Sequence, residues 1–421
     1  MNARLQLHSF GADYSAHLEA YGPVPDTNAE ALIQTIVESG LRGRGGGWFP
    51  TGQKMQSVVR NASSHHHRTA VICNAMEGEP ASTGDQWLSQ YQPHLILDGA
   101  ELAGRAVGAQ HIYIAAHDGG QMINYLRTAL DQRPASGVRI VAAPARYVAS
   151  EESALARFIS GGAALPVYGD RPYTHGVHGR PTLVNNAETL AHVALIARRG
   201  AQWFRSVGSP DAPGTTLISV GGDVGSAQVV EVPVGTRTSD ILALVGGVRG
   251  QITGVRTGGY SGTWTSPAVL DAPWDPDTLR AQGIAVGSGI LWPLASQRCG
   301  IVETARTFTY LAGESAGQCG VCTFGLATTA EDLMSLAHCQ LDAAGAQRLH
   351  TRLAQIPRRG GCVLPDGAVR MAQSALAVFA DEEQAHLSGR CTAASPYPAD
   401  AWTPIPPAGP RPVIAHGRHF V

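Results

Sequence analysis

Thr69-Ala70-Val71-Ile72-Cys73 is a short unbroken apolar run, followed directly by Asn74-Ala75-Met76-Glu77-Gly78-Glu79-Pro80. A run of this length and composition reads as a strand ending in polar, glycine-containing sequence. Upstream, residues 29–37 carry helical apolar spacing and lead into a glycine-rich loop. Downstream, a helical stretch at 95–107 leads to a second strand at 111–116, then a helix at 121–130 and a third strand at 138–142. Strands alternating with helices of this length imply parallel strands joined by crossover helices, a doubly wound α/β domain assigned to residues 1–205. Such sheets bind ligands at the carboxyl ends of their strands, which is where Asn74–Pro80 falls.

The character of the chain changes near residue 210. Short runs at 215–220, 227–234, 251–257 and 268–270 read as strands between Gly-Gly turns, with one helix at 238–245. This predicts a small α+β module of grasp type over 206–300. From 304 to 380 the pattern is helical, clearest at 326–336 and 369–379, and gives a helical domain over 301–394. Residues 395–421 hold seven prolines and read as an extended tail. The chain of 421 residues is 44% hydrophobic, which excludes global disorder, and its net charge of −2 argues against nucleic-acid binding by bulk electrostatics. No secretion signal or membrane-spanning run is recognisable, and seven cysteines in such a chain read as reduced thiols or metal ligands, so a cytoplasmic location is expected.

Five stretches carry chemistry. Between Ser39 and Lys54, six of the thirteen residues 40–52 are glycine. Without Cβ atoms the backbone can approach a bound group and aim N–H groups at phosphate oxygens, with Arg42, Arg44 and Lys54 adding charge; a flexible surface loop is the other reading. Lys54 is the only lysine among 31 basic residues. Asn74–Pro80 follows the first strand. In Tyr147-Val148-Ala149-Ser150-Glu151-Glu152-Ser153-Ala154-Leu155, Ser150 suits an N-cap and the two carboxylates suit a first helical turn. In Pro181-Thr182-Leu183-Val184-Asn185-Asn186-Ala187-Glu188-Thr189-Leu190 the paired amides can read a heterocycle or cap a helix. Cys319-Gly320-Val321-Cys322, with Cys362 farther on, can be a redox dithiol, a zinc site or an iron–sulfur centre. His65-His66-His67 reads as a solvated loop, and Cys339 and Cys391 as ordinary helix or tail residues.

Together and in this order, these segments resemble the FMN- and NADH-binding subunit of respiratory complex I and the related diaphorase subunits of NAD-dependent hydrogenases and formate dehydrogenases. That family's S-G-L-R-G-R-G-G-A-G-F-P-T-G-x-K is matched from Ser39 to Lys54, its N-A-D-E-G-E-P from Asn74 to Pro80, and its G-E-E-T-A-L from Ser150 to Leu155. Its P-T-x-V-N-N-x-E-T-L is matched from Pro181 to Leu190, its E-S-C-G-x-C-x-P-C from Glu314 to Cys322, and its distal C-A-L at Cys362-Val363-Leu364. The resemblance implies a parallel-sheet flavin domain, a soluble-ligand-binding β-grasp module and a helical bundle holding a [4Fe-4S] cluster. It also implies an enzyme in which hydride passes from NADH to FMN and electrons leave singly through iron–sulfur centres to a partner subunit, in a hetero-oligomer attached to a membrane complex through that partner. Carried over by position, Gly43, Arg44, Gly45, Gly46 and Lys54 hold the FMN phosphate and ribityl chain. Asn74, Glu77, Glu151, Asn185, Asn186 and Thr189 also contact the cofactor, Glu79 and Glu152 lie on the nicotinamide side, and Cys319, Cys322 and Cys362 ligate iron.

Four departures accompany the match. Met76 stands where the family has aspartate, and Trp48 where it has a loop glycine. Ser57 and Arg171 stand where it has aromatics beside the adenine, and arginine there suits a 2′-phosphate as in NADPH. Ala316 replaces the first cluster cysteine, leaving a site that has lost its cluster, a [3Fe-4S] centre, or a [4Fe-4S] centre whose fourth ligand is water, a carboxylate or a partner's residue; Glu314, Ser315 and Cys299 are candidates within the chain. The alternative that these departures raise is an electron-transfer or docking subunit that binds flavin or cluster without oxidising NADH.

Overall fold

The run at residue 69 is the central strand β1 (Thr69–Asn74) of a four-stranded, wholly parallel sheet with β2 (Ala109–His117), β3 (Val138–Ala143) and β4 (Thr182–Asn186), in the order β3-β2-β1-β4. The computed structural model describes residues 4–5, 13–65, 68–134, 136–169 and 171–394. β1 reads as continuous apolar sequence because both of its faces are covered. Val71 and Cys73 pack with Leu95, Leu102 and Leu190 on one side, while Ala70 and Ile72 pack with Tyr113, Leu155 and Val184 on the other. The helices Pro93–Val107 and Ala187–Arg199 cross on the first face so closely that a Cβ on Gly99 would lie 1.9 Å from the Leu190 carbonyl oxygen. Asp98, buried on the first of these helices, accepts from Arg133 at 2.7 Å, from Arg198, and from His17 at 2.8 Å.

The second sheet is mixed: β5 (Thr215–Val220), β6 (Gln228–Pro233), β7 (Ile252–Thr257), β8 (Thr263–Thr265) and β9 (Ile290–Ala295) lie in the order β6-β5-β9-β7-β8, with β5 and β9 parallel. The helix Thr238–Ala243 supplies Ile241 and Leu242 to a core with Ile218, Val220, Val255 and Leu291. The expected strand at 268–270 is instead part of a 3-10 turn, Pro267–Asp271, begun by a proline and burying only Val269. Two strands escape the pattern reading. β8 is only three residues long, and β9, Ile-Leu-Trp-Pro-Leu-Ala, is buried throughout and contains a proline, which removes the alternation that marks a strand.

The helices Gly300–Gly313, Ala327–Ala337, Ala343–Gln355, Leu364–Val378 and Ala380–Leu387 enclose a separate core that includes Phe308, Leu333, Leu349 and Leu376. A single π-type turn, Val321–Leu326, carries Cys322 into this group. The helix Thr51–His65 runs through the stretch expected to be loop as far as His65; His66, His67 and the proline-rich segment lie outside the described residues. Among the described residues, no helix is long and apolar enough to cross a membrane.

Candidate active site

The sheet order places β1 between β2, which follows it, and β4, which closes the other side. The carboxyl ends of β1 and β4 are therefore a topological switch point, where a crevice opens. Asn74 and Asn186 end these strands as register partners, and both line a cleft of about 630 Å³. Asn74 donates to the Ser150 carbonyl at 2.8 Å, and its Oδ1 accepts from the Met76 N–H at 3.3 Å. Asn186 caps the helix Ala187–Arg199, its Oδ1 accepting from the Thr189 N–H at 3.2 Å and from the Thr189 hydroxyl. Asn185 is buried one position earlier, and its Nδ2 has no hydrogen-bond partner.

The glycine loop closes by an antiparallel bridge between Arg42 and Pro50, with Gly43 N–H donating to the Phe49 carbonyl and Thr51 N–H to that of Leu41. This leaves Gly45, Gly46 and Gly47 on the cleft wall. A Cβ on Gly47 would meet nothing within 4 Å, so the backbone there is open to a ligand. The basic side chains do not converge on it. Arg42 pairs with Asp277 at 2.8 Å and Lys54 with Glu152 at 2.7 Å. Arg44 is buried, donating to the carbonyls of Pro213, Thr215 and Arg42, each at 3.1 Å, while its own N–H reaches Thr189 Oγ1 at 2.8 Å. Burial lowers the Arg44 guanidinium to about 10, opposed by Glu188. Trp48, at the family's glycine position, has a left-handed φ of 51° and turns its ring into the core of the second sheet, donating to the Gly287 carbonyl at 3.0 Å under the Arg44 guanidinium.

The acidic residues divide by role. Glu77 caps the helix Gly84–Tyr91, accepting at 2.9 Å from the N–H groups of Asp85 and Gln86 and from the Ser82 hydroxyl. Burial, together with the charges of Glu77 and Glu188, pushes the Asp85 carboxyl well above its ordinary value. Glu151, not Ser150, caps the helix Glu152–Ile159, accepting from the N–H groups of Ser153 and Ala154 at 3.0 Å. Ser150 sits in the preceding 3-10 turn and returns its hydroxyl to the Tyr147 carbonyl at 2.7 Å. Of the residues singled out by resemblance, Arg44, Gly45, Gly46, Asn74, Glu77, Glu79, Glu151, Asn186 and Cys362 lie on the cleft wall. Gly43, Lys54, Glu152, Asn185 and Thr189 do not line it but adjoin residues that do, in the loop closure, the ion pair, the β4 end and the first turn of the helix Ala187–Arg199.

Glu79 accepts from the Tyr147 hydroxyl at 3.3 Å, and that hydroxyl also meets Ser261 at 2.7 Å. The carboxyl fits because Gly259, with φ +96°, has no side chain; a Cβ there would lie 2.5 Å from Glu79 Oε2. Burial raises the Glu79 carboxyl to about 7, against the Tyr260 N–H and Arg256, which favour the anion. The fold therefore holds a proton on Glu79 that the unfolded chain releases near pH 4.5. This contribution is greatest at low pH and is lost as pH rises through the folded value; at about 1.4 kcal/mol per unit it is on the order of 3–4 kcal/mol at most. Glu79→Gln is expected to flatten this part of the Tm profile between pH 4.5 and 7, as read by thermal melts of the two chains; an unchanged slope would locate the titration elsewhere.

Cys319 and Cys322 gather with Cys362 at the margin of the cleft. Burial would raise the Cys319 thiol, but the N–H groups of Gly361, Cys322 and Val321 and the Cys322 thiol outweigh it and bring it below its ordinary value. Burial and the neighbouring Cys319 push Cys322 up to about 12, and burial raises Cys362, with Glu151 adding to it. Ala316, in the place of the family's first cysteine, packs against Val148 and Leu165. Glu314 is committed to Arg146 at 2.9 Å and to the Tyr147 N–H at 2.7 Å, and Cys299 belongs to a different group of side chains. Sequence reasoning missed the part of the wall supplied by loops of the second sheet, where Gly258, Ser261, Gly287 and Ser288 lie, the last two close beside Gly46. Its signal was a second glycine concentration, Gly258-Gly259-Tyr260-Ser261-Gly262 and Gly287-Ser288-Gly289.

Comparison with known proteins matches residues 36–195 to the Nuo51 FMN-binding domain and residues 303–386 to the NADH-ubiquinone oxidoreductase-F iron-sulfur binding region. The F subunit of the NADH-quinone oxidoreductase of Mycobacterium bovis is 30% identical over 416 residues, covering 92% of this chain and 90% of that protein. The protein of the same name from Streptomyces coelicolor is 29% identical over 409 residues, covering 92% and 89%. Among solved structures, an NAD+-reducing [NiFe]-hydrogenase in its H2-reduced state superposes with a TM-score of 0.78 at 29% identity, over 86% of this chain and 63% of that one. The chain thus spans somewhat less than two thirds of that hydrogenase chain.

Proposed function

Because the chain belongs to the family of NADH-quinone oxidoreductase F subunits, we propose that it is an NADH dehydrogenase-type flavoprotein, passing electrons from NADH through FMN to an iron–sulfur centre and on to a partner subunit in a hetero-oligomer. The observation that carries this reading is the cleft at the β1/β4 switch point, with an unsatisfied buried amide behind it and three thiols at its margin. A volume of about 630 Å³ falls in the range of small-molecule sites. The open backbone at Gly47, the amides of Asn74 and Asn186 and the orphan Asn185 Nδ2 fit a flat, polar-edged phosphorylated cofactor. Three thiols from two segments fit an iron–sulfur centre whose fourth position Ala316 does not fill.

When bound, FMN supplies the capacity to accept two electrons together and release them singly. In this reading the N–H groups of residues 45–47 hold its phosphate, and the strand-end asparagines fix its ring. Trp48, Leu217, Ile284 and Val286 keep water from one wall, Trp48 being buried in the core of the second sheet. Glu79, paired with Tyr147, holds a proton beside the substrate side of the cleft. Lys54 acts at one remove, fixing Glu152 in the first turn of the helix that Glu151 caps. The 1–205, 206–300 and 301–394 segments are proposed as the flavin, β-grasp and iron–sulfur-binding domains.

Anaerobic titration of the purified chain with NADH and then NADPH tests this. Bleaching of flavin absorbance by NADH is the expected result; bound flavin that neither nucleotide bleaches would leave the docking role instead. Asn185→Ala should weaken flavin retention by about tenfold or more, the equivalent of roughly 1–3 kcal/mol for a lost buried hydrogen bond. Recovery of flavin fluorescence on dilution measures it.

A further inference from the structure

Apart from the cleft and its three thiols, four metal-ligating side chains converge in the helical region. Cys299 Sγ, Glu382 Oε1, His386 and Cys391 Sγ lie within 4.8 Å of one another, and among the described residues no other set of three or more such groups is this tight. Cys299 opens the helix Gly300–Gly313, Glu382 and His386 stand one turn apart on Ala380–Leu387, and Cys391 follows that helix. The pairs Cys299–Glu382, Cys299–His386, Cys391–Glu382 and Glu382–His386 are 3.6, 3.3, 3.2 and 3.0 Å apart. A tetrahedral zinc site with bonds of about 2.0–2.3 Å has ligand-to-ligand edges of roughly 3.3–3.8 Å, close to this spacing.

Two observations separate the group from an ordinary hydrogen-bonded cluster. First, Glu382 Oε1 is approached at once by Cys299, Cys391, His386 Nε2 and the Thr392 N–H, more partners than the lone pairs of one oxygen serve. Second, the other ring nitrogen of His386, a fully buried residue, meets the Leu336 carbonyl at 2.9 Å. That carbonyl can only accept, so Nδ1, which Cys339 Sγ also approaches at 3.5 Å, carries a proton, and Nε2 at 3.0 Å from the Glu382 oxygen requires a proton or a metal ion between the two. This is the outer-sphere arrangement of a metal-bound histidine.

We propose that Cys299, Glu382, His386 and Cys391 bind a structural zinc ion. The four protein ligands close the coordination sphere, so the site holds no open position for catalysis. Its effect is to clip the chain beyond Leu387 to the start of the helix Gly300–Gly313, whose far end leads to the segment carrying Cys319 and Cys322. Cys299 and Cys391 thereby take a role different from those read in the sequence.

The test is metal analysis of full-length protein made in zinc-supplemented medium and purified anaerobically. About one zinc per chain is expected, retained in Cys362→Ala, which should lose iron, and reduced about tenfold or more in Cys391→Ser and His386→Gln, which should keep iron and flavin. Zinc absent from the wild-type chain, zinc unchanged in both variants, or a Cys299–Cys391 disulfide found by mass spectrometry would each overturn the proposal. If the variants do not fold, zinc-edge X-ray absorption of the wild-type protein decides. Two sulfur and two lighter neighbours support the site; three sulfurs, or none, refute it.

Discussion

Trp48→Ala is expected to destabilise the protein by about 3–5 kcal/mol, the usual range for deleting a buried large aromatic, and to loosen flavin binding with it. The ring is the contact by which the glycine loop enters the core of the second sheet, and its indole N–H fixes the loop to the carbonyl of Gly287, which also lines the cleft. Removing it leaves Gly45, Gly46 and Gly47 held by the Arg42–Pro50 closure and by the hydrogen bonds of Arg44. Trp48→Gly is the informative companion. Glycine ordinarily costs more than alanine, but at φ 51° the order should reverse, because a side chain in the left-handed region costs roughly 1–2 kcal/mol. Urea denaturation of both variants, with the flavin-to-protein ratio measured on each, checks the argument. Alanine proving the more stable of the two would show that the backbone there is not strained.

Asp98→Ala should cost a similar amount, about 3–5 kcal/mol, as expected when one partner of a buried ionic group is removed. Asp98 is the acid shared by Arg133, Arg198 and His17 beside the helix Pro93–Val107. Its loss strips the buried Arg198 guanidinium of this carboxylate and leaves Arg133 with Glu101 at 3.4 Å. Burial would raise the Asp98 carboxyl, but the His17 hydrogen bond and the charge of Arg198 outweigh it and hold it at about 2, against an ordinary 3.8. Because the folded value is depressed, this stabilisation is complete above the unfolded value and is lost as pH falls through the folded one. The wild-type chain should therefore lose stability below pH 4, and Asp98→Asn, lower at neutral pH, should show a shallower acid limb. Thermal melts from pH 2 to 7 measure both.

The first sheet was legible because β1 is buried on both faces and β2 and β3 are short apolar runs set between helices, so these three announce themselves within a residue or two, while Thr182–Asn186 was not read as a strand. β9 was not, because full burial and Pro293 erase the alternation, and the 3-10 turn at Val269 borrows the apolar look of a strand. In the cleft, Asn74 followed from its place after the first strand, whereas Asn186 came from the paired-amide motif and the family resemblance, with no strand read before it. The positive charges have partners within the chain that composition does not show. A lone lysine beside a glycine loop looks like a phosphate ligand, yet Lys54 meets Glu152, and Arg44 spends its guanidinium on backbone carbonyls. Spacing cannot reveal such pairings, since the partners lie 98 and 169 or more residues away. Cys299, His386 and Cys391 were invisible as a group for the same reason.

The pairing of Asn74 with Asn186 has a consequence for biogenesis. A ribosome adding roughly 5–20 residues per second finishes β1 well before β4 exists to lie beside it, and Gly287 and Cys362 come later still. No half of the pocket is complete on its own, so a nascent chain spends on the order of tens of seconds with nothing able to grip a cofactor. Loading therefore waits until Gly287 and Cys362 have been made and have folded against the first sheet.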